Sequence, residues 1–315
     1  MHSLALRACI GSQKVILGIM ANPREWLING SGQTPELSWS FATDAPLAWL
    51  ELARESGEIL AADRSGGIYL LDRNGQVVAV TRGPVPVRGL AWSDNGAAGV
   101  ALIGDSKLHW FSRQLEFRSQ YELPDTALAV AVDPHGEYVA ASLVSGTNLI
   151  FDGPRKPIHR FESQRPFVKL HFLSEIPGLI GVADYGLLSS RTFQGGIRWE
   201  EKLWASAGDI AASGNGDMVL VACFAHGITR YDSEGSQSGS YQVEGTASRV
   251  ACSYLPYRIV VATMERQLYW LNVDGKVIWA AEAPEDIIRV ACDPLGKGMV
   301  VGFDSGRIVR LDWDS

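Results

Sequence analysis

Four charged residues recur at one spacing: Lys169, Asp209, Arg249 and Arg289, each 40 positions after the last. Stepped backwards, the series continues through Ala129, Gly89 and Trp49. Three cations gathered at one level of a structure, with a single carboxylate among them, are suited to hold an anion or an acidic peptide. The competing use is internal, with Asp209 pairing to Arg249 or Lys169 across neighbouring repeats, an arrangement that contributes little to stability when exposed. Elsewhere the chain announces little chemistry. His2, His109, His135, His159, His171 and His226 fall at different phases of the repeat, and no HExxH spacing joins them into a metal site. There is no GxSxG nucleophile, no phosphate loop and no glycine fingerprint for a dinucleotide.

The four cysteines, Cys9, Cys223, Cys252 and Cys292, show no CxxC or other metal spacing. Cys9, Cys252 and Cys292 occupy one position of the repeat, where a buried thiol serves as a small apolar side chain. A structural role, in a reduced cytoplasmic setting, is the expectation.

The elements that must position these residues come from the same step. From Cys252 it reaches Leu52, Trp92, Val132, Phe172, Ala212 and Cys292, all apolar. A second column holds Leu60, Val100, Ala140, Ile180, Leu220, Val260 and Val300; a third holds Ile68, Leu108, Asn148, Leu188, Ile228, Leu268 and Ile308. Within 248–283 the apolar runs 249–252, 258–264, 267–272 and 276–283 mark four short strands. Turn residues fall between them in register. Asn74-Gly75, Asp152-Gly153, Glu234-Gly235 and Asp274-Gly275 separate third from fourth strands and supply the positive φ of tight hairpins. Residues 46–63 have helical propensity, but Leu52 and Leu60 sit in the repeat columns, so two strands are predicted there. Trp39, Trp199 and Trp279 fall at matching places on fourth strands, where a bulky ring fills the gap between sheets. Four strands per period of about 40 residues predict an all-β protein, a single β-propeller spanning 1–315.

The units run approximately 1–45, 46–83, 84–123, 124–163, 164–203, 204–244, 245–283 and 284–315. Residues 6–9 and 14–20 match the first two strands of the last unit, 25–30 matches a third strand, and 36–43 supplies a fourth. Eight blades are therefore favoured, the last one short by a strand and open at its edge to a partner. The alternative has seven blades, with 36–43 completing the last and 1–30 docking elsewhere.

The pattern resembles the WD40-like and quinoprotein-like propeller superfamilies over essentially the whole chain. The segment GKVIW, followed by a DPLGKGMVVGFDSGRIVRLD unit, is most similar to quinoprotein-type or YVTN-type repeats. The Gly-His pair of WD40 units is absent, and one Trp-Asp pair, Trp313-Asp314, closes the chain. Resemblance to quinone-dependent dehydrogenases implies a cofactor and Ca²⁺ in a funnel of acidic and amide groups, usually in exported proteins. Here the longest N-terminal apolar run, 15–20, is shorter than a secretory core and is flanked by Lys14. No calcium loop is recognisable either.

A formal net charge of −7 without Lys/Arg runs argues against a nucleic-acid surface. No apolar stretch reaches the roughly 18 residues of a membrane helix. The expected function is a non-catalytic interaction scaffold or assembly subunit without cofactor, binding protein partners on one face or at the channel mouth. Its candidate contacts are Lys169, Asp209, Arg249, Arg289, Trp204 and Arg266, on a rim shared with Asp63, Arg64, Asp105, His226, Glu265 and Asp304. The alternative is a propeller enzyme or small-molecule binder, quinoprotein-like or sugar-processing, that uses the central channel.

Overall fold

In blade one the strands Leu47–Leu52, Ile59–Asp63, Gly67–Leu71 and Val77–Arg82 follow one another outward as an antiparallel meander. This is a computed structural model, and it describes residues 24–83, 86–255 and 257–313. Blades two to six repeat the meander over 87–122, 127–162, 167–201, 207–241 and 247–282. Residues 46–63 form strands, as the columns predict, and no helix.

Burial follows position in the blade. Second strands such as Ile59–Asp63 and Gly298–Phe303 are buried at every residue, because blades cover them on both sides. Outer strands such as Phe117–Glu122 alternate between exposed and half-buried residues, the period-two pattern of a strand with one face in water.

The blade count corrects the sequence expectation. Among the described residues there are seven four-stranded blades, not eight. Ile287–Cys292, Gly298–Phe303 and Arg307–Asp312 form three strands of blade seven. Glu36–Ala42 pairs antiparallel with Arg307–Asp312 as the fourth, with Phe41 opposite Ile308. Strand identity along the sequence suggested an eighth unit, but pairing the two ends satisfies an edge that would otherwise stay open. The open edge expected on the last blade is thus already filled by the chain itself.

Residues 25–30, matched above to a third strand, instead begin with a short helix, Glu25–Ile28. Leu27 is buried and Trp26 lies 5.9 Å from Trp279, ring centre to ring centre. Ser31–Gly32 then adds two residues of pairing to the outer strand of blade six. The proposed strands at 6–9 and 14–20, and Cys9 with them, lie outside the described residues.

Blades lock to one another through rings on outer strands. A side chain at Gly75, Gly235 or Gly275 would meet the ring of Trp39, Trp199 or Tyr241, the nearest atoms lying 2.6, 2.6 and 2.5 Å from an added Cβ. Each of these glycines sits in a third-to-fourth-strand hairpin at positive φ. Glycine there serves both the turn and the close approach of the neighbouring ring.

Candidate functional site

All seven innermost strands carry the same irregularity. The register shifts after the first paired residue, between Leu47 and Trp49 in blade one and between Ile287 and Arg289 in blade seven. The equivalent shifts in blades two to six precede Gly89, Ala129, Lys169, Asp209 and Arg249. A bulge re-aims the side chain that follows it, and this one directs Trp49, Gly89, Ala129, Lys169, Asp209 and Arg289 to the wall of the central channel, with Arg249 beside them. Lys169, Asp209, Arg249 and Arg289 are therefore brought together, on one level, with Trp49.

Small residues at Gly89 and Ala129 leave room for Trp49 to lie across the mouth. The guanidinium carbon of Arg289 sits 3.9 Å from its ring centre, and Lys169 Nζ, three blades away, sits 5.8 Å from it. Lys169 Nζ and Asp209 Oδ1 are 3.9 Å apart. Asp209 Oδ2 also accepts from the Val250 amide at 3.4 Å. Arg249 donates to the Ile288 carbonyl at 2.7 Å and to the Ser248 carbonyl at 2.8 Å. Arg289 donates to the Ile288 carbonyl at 3.3 Å. Among the described residues, neither arginine forms an ion pair.

Beneath this level lies a second one that the sequence reading missed. Glu51, Ala91, Ala131, His171, Ala211, Ala251 and Ala291 line the same cavity, again 40 apart. Its signal was present as two polar exceptions in a column otherwise of alanine. Glu51 Oε1 accepts the Trp49 indole N–H at 2.8 Å. Burial pushes the Glu51 carboxyl up to about 7, against the pull of Arg289, the indole bond and Lys169. Lys169 is pushed down to about 8 by burial, with Asp209 opposing and Arg289 and Arg249 assisting. His171 is held down to about 4 by burial and by Arg54, and its Nε2 has no partner among the described residues. Burial together with the neighbouring Arg289 also lowers the Arg249 pKa.

The far end is closed. Arg54 of blade one pairs with Asp94 of blade two at 3.1 Å and donates to Ser174 Oγ of blade four at 2.9 Å. It also lies 5.5 Å from the Tyr254 ring centre of blade six, so one side chain ties four blades across the channel floor. The resulting cup has a volume of about 230 Å³ and opens at the level of Trp49 and Arg289. Among the described residues no three His, Cys, Asp or Glu side chains converge as a metal site.

The remaining candidates sit on the rim. Trp204 is 73% exposed, with Lys202 Nζ 4.1 Å over its ring. Arg266 is tied to Glu282 at 3.0 Å and takes a positive φ of 66° where blades one, three, four and seven place Gly66, Gly146, Gly186 and Gly306. Its exposed pair anchors it to its own blade.

With this geometry in place, comparison with solved structures adds one finding. The chain resembles the β-propeller domain of Cps50 (Swd1) from Myceliophteria thermophila, with a TM-score of 0.76 and 14% identity over 89% of this chain and 100% of that one. The likeness is one of fold alone. It agrees with the WD40-like resemblance of the repeats as architecture, and 1831 chains of solved structures match, so the fold selects no single function. No family model matches the chain, and no curated protein does. No helix among the described residues is long and apolar enough to cross a membrane.

Proposed function

We propose that this chain is a non-catalytic protein-binding propeller whose partner docks on the face where the channel opens. One observation carries the reading: an arc of exposed apolar side chains runs round the open mouth through blades three to six. It comprises Leu128, Val144, Tyr185, Trp204, Phe224 and Met264. Val144, Phe224 and Met264 hold the same repeat position, in loops between second and third strands. In blades seven and one that position holds Asp304 and Arg64, which pair with each other at 2.5 Å. Blade two adds the pair Arg88–Asp105 at 3.4 Å. Exposed apolar side chains thus gather on blades three to six, interspersed with Asp184 and the Arg266–Glu282 pair, while Arg64–Asp304 and Arg88–Asp105 hold the other blades.

Contiguous exposed apolar side chains with a polar border mark surfaces that other proteins cover. Trp204, the most exposed of the arc, is of the type that anchors such contacts. The opposite face exposes Ile176, Leu255, Tyr257 and Leu295, but around a channel end that Arg54 closes.

Trp204→Glu and Met264→Glu, each made in the tagged chain expressed in its native host, test the reading. A stoichiometric co-purifying protein should be lost from both variants, each weakened by about thirtyfold or more as for interface anchors, and retained by Leu295→Glu. Retention by the first two with loss from Leu295→Glu contradicts it.

A further inference from the structure

The closed cup below the rim has a composition that a protein surface does not require. We propose that the channel is a binding site for a small organic acid, with its carboxylate held by Arg289 and Lys169 and a second polar group reaching Glu51 and His171. This goes beyond the rim reading and does not depend on it, since the arc residues take no part.

The head of the site follows from charge. Three cations meet at the mouth with Asp209 and Glu51, and only Lys169 is paired, at 3.9 Å. Both arginines are partly buried, and the contacts they make are to carbonyls or to the Trp49 ring. Partly buried cations without a carboxylate in direct contact are costly, and a carboxylate offers guanidinium two acceptors in one plane.

The body of the site follows from shape. Five alanines, Ala91, Ala131, Ala211, Ala251 and Ala291, line the wall below the charged level, and the Trp49 ring flanks it. These surfaces suit a short carbon skeleton better than a fully hydrated inorganic anion. At about 230 Å³ the cup is smaller than the roughly 300–1,000 Å³ of drug-sized ligand sites, which suits a short acid such as a four-carbon diacid. The foot is polar on two sides: Glu51 from blade one, and from blade four His171, whose Nε2 is unpartnered among the described residues.

Proton linkage has a definite sign here. Glu51 faces Trp49, Arg289, Asp209 and Lys169, and Lys169 faces Asp209, Arg289, Arg249 and Glu51. A bound anion favours neutral Glu51 and charged Lys169, so binding takes up protons. Affinity should fall as pH rises past about 7 and again past about 8. A carboxylate could also be presented by a docked protein; the depth of the cup and its floor at Arg54 favour a free molecule.

Isothermal titration of the full chain with succinate, at low ionic strength, is the test. One-to-one saturable binding is expected near pH 6, weakened about tenfold or more near pH 9. Arg289→Gln and Lys169→Gln should each weaken it by about tenfold or more, the loss typical of a charge-assisted bond, while Arg118→Gln on an outer strand leaves it unchanged. Absence of saturable binding to the unmodified protein overturns the proposal whatever the variants do. Equal affinity for succinamide overturns the carboxylate head, and tighter binding of inorganic phosphate overturns the organic skeleton. A glutamate-containing pentapeptide that binds where succinate does not overturns the free acid in favour of a protein carboxylate.

Discussion

Glu51 holds its proton in the folded chain at pH values where an unfolded glutamate has lost it, with a pKa of about 7 against 4.5. The folded state therefore binds more protons across that window, and stability falls as pH rises through it. Glu51→Gln removes this dependence. Chemical denaturation of both proteins should show the wild type losing stability relative to the variant between about pH 4.5 and 7, by on the order of 3 kcal/mol. Parallel curves would remove burial of the carboxyl from the account. His171 works in the opposite sense over its own window, from about 4 to 6.5, so the comparison must be made against the variant and not read from the wild-type curve alone. The residues of the mouth were partly legible in advance. A step of 40 finds Lys169, Asp209, Arg249 and Arg289 because their charges break an apolar pattern. Glu51 and His171 passed unnoticed because their column is otherwise alanine, which reads as bland packing. What no sequence column encodes is reach: the Trp49 ring comes within 5.8 Å of Lys169 Nζ, three blades away.

Among the elements, the strand Glu36–Ala42 decides how the ring closes. Its pairing with Arg307–Asp312 joins residues more than 260 positions apart along the chain. Trp39 of that strand also donates its indole N–H to the Arg73 carbonyl at 3.0 Å in blade one, so the strand stitches the seventh blade to the first. A chain beginning after residue 43 should lose this closure. Its thermal midpoint should drop by roughly ten degrees or more, and a synthetic peptide spanning 34–44 should restore it by adding back as a strand. A truncated chain with an unchanged midpoint would show that the closing strand is dispensable. The strand itself was readable in the sequence, as was its role in the seven-bladed alternative. The preference for eight blades arose from matching 6–9 and 14–20 to repeat columns. A match of residue types cannot register that Arg307–Asp312 has room for one partner and already has it. Glu25–Ile28 was misread for a related reason: four residues are too few for their pattern to separate a helical turn from a strand.

At the scale of the whole molecule, seven blades make a disc with two unequal faces. On one, the channel is floored by Arg54 and its partners Asp94 and Ser174. On the other it opens between cations and an aromatic ring, inside a rim whose exposed apolar side chains gather on blades three to six, among Asp184 and the Arg266–Glu282 pair. Propeller architecture was legible from period, turns and columns, because every blade must solve the same packing problem. The asymmetry of the faces was not, since exposure belongs to assembled loops and not to any one repeat. The open face is proposed as the seat of a partner protein. Site-specific photo-cross-linking in the native host tests it most directly, with a photoreactive residue placed at Trp204, at Met264 or, on the opposite face, at Leu295. Cross-links to one and the same protein from Trp204 and Met264, with none from Leu295, are predicted. Cross-links to a discrete protein from Leu295 alone would contradict the claim.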